Sequence, residues 1–174
     1  MIARFSFRQL AGLAAIGCAL GLAFALYLQK GIGYTPCAMC IFQRIALLTA
    51  GLILLIAALH GPQRGGRWVY TGLALLAAVA GAGVAARQVW LQSLPPGDAP
   101  ACGPTPGYLW NMLPKGEALQ RIAELVLKGD GDCAKIDAQW LGLTLPAWTL
   151  GVFILLALYV LLAAWLTRPR ERLG

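Results

Sequence analysis

The sequence predicts an all-α integral membrane protein: a single membrane domain over residues 1–174, built as a four-helix transmembrane bundle with one short and one long outer loop. Three observations predict it. Hydrophobic residues make up 59% of the 174 and charged residues only 12%, where soluble chains carry roughly 25% charge. The apolar residues gather in long runs free of charge. The basic residues collect on one side of those runs. A globule so short of charge could not cover its own surface, and the same composition excludes a disordered chain.

The elements follow in order. Residues 9–29 carry no charge, and about 20 residues suffice to cross a bilayer. Arg4 and Arg8 ahead of this run, with Ala23-Phe24-Ala25 late in it, imitate a secretory signal. Its apolar region exceeds the roughly 7–15 residues of a signal, so it reads as a retained anchor. The second span is less clean. Only 15 apolar or neutral residues lie between Ile45 and Leu59, so a span over 41–60 must take in Arg44. Residues 68–87 and 145–166 supply the third and fourth spans, drawn from uncharged runs at 68–86 and 138–167. Residues 30–40 and 88–144 form the outer loops; 1–8, 61–67 and 167–174 lie on the opposite side. Within the long loop, residues 117–128 read as an amphipathic helix lined by Leu119, Ile122, Leu125 and Val126. It lies along the membrane interface or packs on another part of the loop.

Charge sets the orientation. Arg4, Arg8, Arg64, Arg67, Arg168, Arg170 and Arg172 share their side with one acid, Glu171. In the long loop, counting Arg87 at its edge, five basic residues meet six acids. Both termini and the 61–67 segment therefore face the cytoplasm. The net charge of +7 is an orientation signal, not a nucleic-acid surface.

Of the five cysteines, Cys37, Cys40, Cys102 and Cys133 fall in the outer loops and Cys18 falls mid-span. Disulfides persist on the oxidising side of a membrane, which agrees with the charge-derived topology. Cys18 reads as a small buried hydrophobe. Cys37 and Cys40 make a Cys-x-x-Cys, a redox or zinc motif. Zinc needs a second close pair or histidines, and the lone His60 belongs to the other side. Thr35-Pro36 reads as an N-cap followed by proline at the first helical position. Positions 37, 40 and 44 then fall within about 60° of one another on the helix. A helix N-terminus and the Arg44 cation both favour thiolate. Arg44 itself is costly in a span, roughly 2.5–3.5 kcal/mol at the centre. It either snorkels to the interface or serves an anionic sulfur or a polar ligand head. Cys102 and Cys133 have two readings as well: a static staple for the loop, or an exchange partner for the Cys-x-x-Cys.

The composite resembles the DsbB family of bacterial disulfide-bond-forming oxidoreductases. The resembling stretches are Pro36-Cys37-Ala38-Met39-Cys40-Ile41-Phe42-Gln43-Arg44, Gly131-Asp132-Cys133-Ala134 and Leu141-Gly142-Leu143-Thr144-Leu145-Pro146-Ala147-Trp148. The likeness runs over essentially the whole chain, although residues 88–130 match in cysteine placement more than in side chains. Gln43 stands where the family often has glutamate, and Cys18 is extra. The resemblance implies an enzyme of the bacterial inner membrane whose outer loops are periplasmic. It would reoxidise a soluble, thioredoxin-like DsbA-like dithiol oxidase and pass two electrons to membrane quinone, either ubiquinone or menaquinone. It further implies that Cys102 forms the mixed disulfide with the partner and that Cys133 exchanges with Cys37. Cys40 is then left as the thiolate against the quinone, and Arg44 serves that thiolate and the quinone oxygen.

Three other classes share parts of the pattern. A vitamin K epoxide reductase-like enzyme also joins a helical bundle to Cys-x-x-Cys and quinone, but its redox motif sits on a later helix. A four-span scaffold with structural outer-loop disulfides leaves the shared stripe of Cys37, Cys40 and Arg44 without a purpose. A transporter lacks support, because no intramembrane acid or interrupted helix pair is present.

Overall fold

The computed structural model describes residues 6–33, 36–62, 65–95, 106–128, 131–136 and 139–167. Four long helices dominate: α1 (Phe7–Gly31), α2 (Ala38–His60), α3 (Gly65–Gln92) and, after the outer segment, α7 (Leu145–Leu166). All four are long and apolar enough to cross a membrane. Between α3 and α7 come the short helices α4 (Pro106–Met112), α5 (Lys115–Lys128) and α6 (Gly131–Ala134). The antiparallel pair β1 (Gln139–Trp140) and β2 (Leu143–Thr144) follows.

Local chemistry sets the helix ends. Ser6 and Gln9 form a reciprocal capping box at the head of α1, which satisfies two otherwise orphaned N–H groups. Gly61 closes α2 at φ 63°, its N–H donating to the Ala57 carbonyl, a left-handed cap that glycine adopts without penalty. A side chain there would also collide with Arg8, 2.8 Å from the position of a Cβ. Arg8 Nε donates to the Ala58 carbonyl at 3.0 Å and ties the start of α1 to the end of α2. Pro146 stands in the first turn of α7, where its missing N–H costs nothing.

Helix α1 packs on α2, α2 on α3 and α3 on α7, with a lighter contact between α7 and α1. Small residues make this possible. Ala11, Ala14, Ala15 and Cys18 of α1 are buried in one core with Leu47, Leu54 and Ala57 of α2, Ala74 and Ala78 of α3, and Phe153, Val160 and Ala164 of α7. Spans in lipid gain little from hydrophobic transfer and associate through close packing of small side chains. Gly51 faces Cys18, with 2.9 Å from an imagined Cβ to the Cys18 Cβ. Gly81 lies beneath the Phe153 ring, 2.3 Å from where its Cβ would stand. Cys18 is thus a buried packing residue. At the far end of the bundle, Arg67 is buried and donates to the Thr167 carbonyl, while His60 Nδ1 and the Tyr70 hydroxyl lie 2.8 Å apart.

Helix α3 is longer than the charge-free run that predicts it. Its 28 residues rise about 42 Å, well beyond the roughly 30 Å of hydrocarbon. The extension takes in Arg87, whose guanidinium lies 4.1 Å from the Trp90 ring centroid. Two features of the outer segment depart from expectation. Among the described side chains of α5, Ala118 and Ile122 are buried while Leu119 is 63% exposed, the helix packing on α4 and α2; the side chain of Val126 lies outside the described residues. The β1–β2 hairpin turns through Leu141 (φ 53°) and Gly142 (φ 79°), both left-handed as a two-residue turn requires. Trp148 Nε1 donates to the Trp140 carbonyl at 3.1 Å and fastens the hairpin to the first turns of α7.

Candidate active site

The site forms where the overshooting end of α3 meets the head of α2. Cys37 is itself the N-cap of α2: its backbone is extended, and its sulfur accepts from the Cys40 N–H at 3.4 Å. This corrects the expected cap at Thr35-Pro36. Thr35 lies outside the described residues, and Pro36 precedes the cap, where a residue without an N–H withdraws no donor from the first turn. The cap geometry brings the two sulfurs together, Cys37 Sγ to Cys40 Sγ 2.9 Å. Both cysteines are half-buried thiols.

The sequence reading missed a pair of glutamines. Gln88 of α3 is 3% exposed and Gln43 of α2 is 5% exposed. Gln43 Nε2 donates to Gln88 Oε1 at 2.8 Å. The amide nitrogen of Gln88 then faces both sulfurs, 3.3 Å from Cys37 Sγ and 3.5 Å from Cys40 Sγ. A buried amide must find partners, and these two satisfy one another and the sulfurs. The signal available in sequence is faint: Gln43 lies inside the Cys-x-x-Cys helix, and Gln88 follows the arginine taken to end its span.

Cys133 completes the cluster. Helix α6 packs on α3 and α2, and Gln92 Nε2 donates to the Lys135 carbonyl just beyond it at 3.1 Å. Cys133 is fully buried with Met39 and Leu91, and Cys37 packs against the same group. The Cys133 and Cys37 thiols are hydrogen-bonded; that contact first, then the contact with Cys40 and burial, push the Cys37 thiol up from its ordinary value. At Cys37 these contacts oppose the thiolate that a helix N-terminus favours. Neighbouring thiols and desolvation outweigh the terminal dipole there.

Arg44 is half-buried one turn beyond Cys40, within electrostatic reach of its sulfur. Its guanidinium turns toward α1, donating to the Ala25 carbonyl at 3.0 Å and to Gln29 Oε1. Cys102, the fourth cysteine of interest, lies outside the described residues. No group of three or more metal-ligating side chains occurs among the described residues. An apolar cleft of about 630 Å³, lined by Leu13, Cys18, Leu47, Leu155 and Tyr159 among others, lies mainly between α1 and α7 and does not include Cys37, Cys40 or Cys133.

A four-span bundle with three thiols gathered at one end defines a multi-pass membrane thiol oxidoreductase. The family model for disulfide bond formation protein DsbB matches residues 7–163. Proteins named disulfide bond formation protein B are similar along their length. That of Chromohalobacter salexigens is 48% identical over 90% of both chains. That of Saccharophagus degradans is 47% identical over 86% of this chain and 87% of its own. That of Xanthomonas campestris pv. campestris is 43% identical over 97% and 96%. The chain belongs to the DsbB family.

Proposed function

We propose that this protein oxidises a soluble periplasmic DsbA-like dithiol oxidase and passes two electrons to a membrane quinone, ubiquinone or menaquinone. In this reading it lies in the bacterial inner membrane with Cys37, Cys40, Cys102 and Cys133 facing the periplasm. The observation that carries it is the row Cys133, Cys37, Cys40. A buried thiol from the long outer segment touches the first cysteine of a close-set pair, which is what disulfide exchange between loops requires.

Each step is a thiol–disulfide exchange by in-line attack of a thiolate on a sulfur. Cys102 takes the partner's attack and forms the mixed disulfide; the partner's second thiol then releases it, leaving Cys102 and Cys133 reduced. The Cys133 thiolate attacks Cys37 of the oxidised pair, the Cys37–Cys40 bond breaks, and Cys40 keeps the electron pair. Attack of Cys102 on the Cys37–Cys133 bond restores the loop disulfide and leaves Cys37 and Cys40 as a dithiol. A bound quinone supplies the terminal two-electron acceptor. The residues present fit such a group: Cys40 is half-buried at the end of a span, and Arg44 keeps donors beyond the two used on α1. Arg44 orients the acceptor's oxygen and holds negative charge at Cys40.

The test is reconstitution of the purified chain with a reduced DsbA-like protein and a short-chain quinone. The reading expects partner thiols to disappear in equal amount with loss of the quinone's ultraviolet band. Oxidation of the partner without quinone consumption would overturn it.

A further inference from the structure

We propose that Gln88, held by Gln43, is the hydrogen-bond donor that stabilises the sulfur leaving the Cys37–Cys40 pair. This rests on the exchange reading above in one respect: that Cys40 is the sulfur that departs.

The bond change states the need. When the Cys133 thiolate attacks Cys37, one S–S bond forms, one breaks, and the charge moves from Cys133 to Cys40; no proton or further oxidant is required. Cys40 must accept that charge in a half-buried site where water is scarce, and a charge in a poorly solvated setting is strongly disfavoured unless donors reach it. Arg44 is the cation nearest in sequence, but its two recorded hydrogen bonds run to α1, to Gln29 and Ala25. Arg87, on the same helix as Gln88, lies over the Trp90 ring. The Gln88 amide nitrogen is the group within reach of both sulfurs, at 3.3 and 3.5 Å. A carboxamide NH₂ carries two hydrogens, so one group can contact the attacked sulfur and still donate to the charge that arrives on the leaving one.

Gln43 decides which end of the amide faces the sulfurs. By donating to Gln88 Oε1 at 2.8 Å it engages the carbonyl, which the Cys40 thiol also reaches at 3.8 Å, and it sets the NH₂ closer to the sulfurs, at 3.3 and 3.5 Å. Both glutamines are buried, so water does not compete for either role. The device is neutral, and it adds no charge whose own desolvation must be met when the pair is oxidised.

The test uses the full-length reduced protein in nanodiscs, without partner or quinone. The rate of Cys40 alkylation by N-ethylmaleimide is followed against pH and localised by peptide fragmentation. Gln88→Met keeps length and bulk but removes the donor. A hydrogen bond to a charged group contributes roughly 1.5–3 kcal/mol, so alkylation near neutral pH should slow by about tenfold or more. The difference should vanish at high pH, where every thiol is ionised. Gln88→Asn should recover part of the rate, and Gln43→Met should slow it by about threefold through loss of orientation. A Gln88→Met profile that overlays the parent's overturns the proposal, as does slowing that persists unchanged at high pH, the mark of altered access. If Gln88→Met does not fold, Gln43→Met decides: slowing confined to neutral pH supports the proposal, and an unshifted profile overturns it. Quinone reduction by the unsubstituted protein is measured separately, so failure here is distinct from failure of the proposed function.

Discussion

Replacing Arg44 with methionine separates two roles that the structure sets in competition. The guanidinium braces α2 against α1 through Gln29 and the Ala25 carbonyl. In the proposed reaction it also serves Cys40 and the acceptor. For stability, the loss of two charge-assisted bonds at roughly 1.5–3 kcal/mol each is offset by removing a charge that costs up to roughly 2.5–3.5 kcal/mol within a span. The net loss of folding stability is therefore expected to lie between about zero and 3.5 kcal/mol. Turnover has no such offset. Loss of one charge-assisted bond to the acceptor should lower kcat/KM for quinone by roughly ten- to hundredfold. Single-turnover exchange between the partner and Cys102–Cys133 should stay nearly normal. Arg44→Lys should fall between, since it keeps the charge and loses the planar fork. Gln29→Leu weakens the brace alone: it removes the side-chain acceptor on α1, keeps the Ala25 carbonyl and leaves the guanidinium. Quinone kinetics unchanged in Arg44→Met, or the full defect reproduced by Gln29→Leu, would refute the proposed role and leave Arg44 as a brace.

Three further outcomes are expected. Gly81→Ala places a methyl 2.3 Å from the Phe153 ring and should destabilise the bundle by about 1–3 kcal/mol; Phe153→Leu in the same chain should restore part of the loss, and an unchanged thermal midpoint in detergent would contradict the packing. A cysteine at Gly107 or Gly65 meets no neighbouring atom within 4 Å; with native cysteines replaced, an impermeant maleimide on intact cells should label the first and spare the second, and the reverse pattern would invert the proposed orientation. A DsbA-like partner lacking its second active-site cysteine should be trapped covalently on Cys102. Trapping that survives Cys102→Ser but not Cys133→Ser would exchange the two assignments.

The spans were legible because a bilayer filters for length and charge, and Leu145–Leu166 carries neither interruption nor ambiguity. The ends of α3 were harder to read. Arg67 and Arg87 look like boundaries in sequence, yet the first finds a carbonyl and the second an aromatic face, so neither ends the helix. The Cys37–Cys40 pair was visible through its spacing. Its junction with Cys133 was implied by the family resemblance alone, because spacing along the chain says nothing about which loop folds back onto which helix. Gln88 stayed hidden for a chemical reason: a neutral amide at the end of a span carries no motif, and its meaning arises only from Gln43 and two sulfurs converging on it. The hairpin escaped notice because Leu-Gly is a weak turn signal beside Asn-Gly or Asp-Gly.

The bond from Arg67 to the Thr167 carbonyl has a consequence for the order of assembly. It joins the first turn of α3 to the residue that caps α7, 100 positions apart in the chain. While α7 is still being synthesised, that acceptor does not exist, and a guanidinium buried without partners is strongly disfavoured. The first three helices must therefore hold this corner open to water as a nascent trio. Arrival of the carboxyl-terminal helix supplies a carbonyl from the negative end of its dipole, and the arginine can then be enclosed. Docking of α7 is in this sense a latch, and the latch is thrown last.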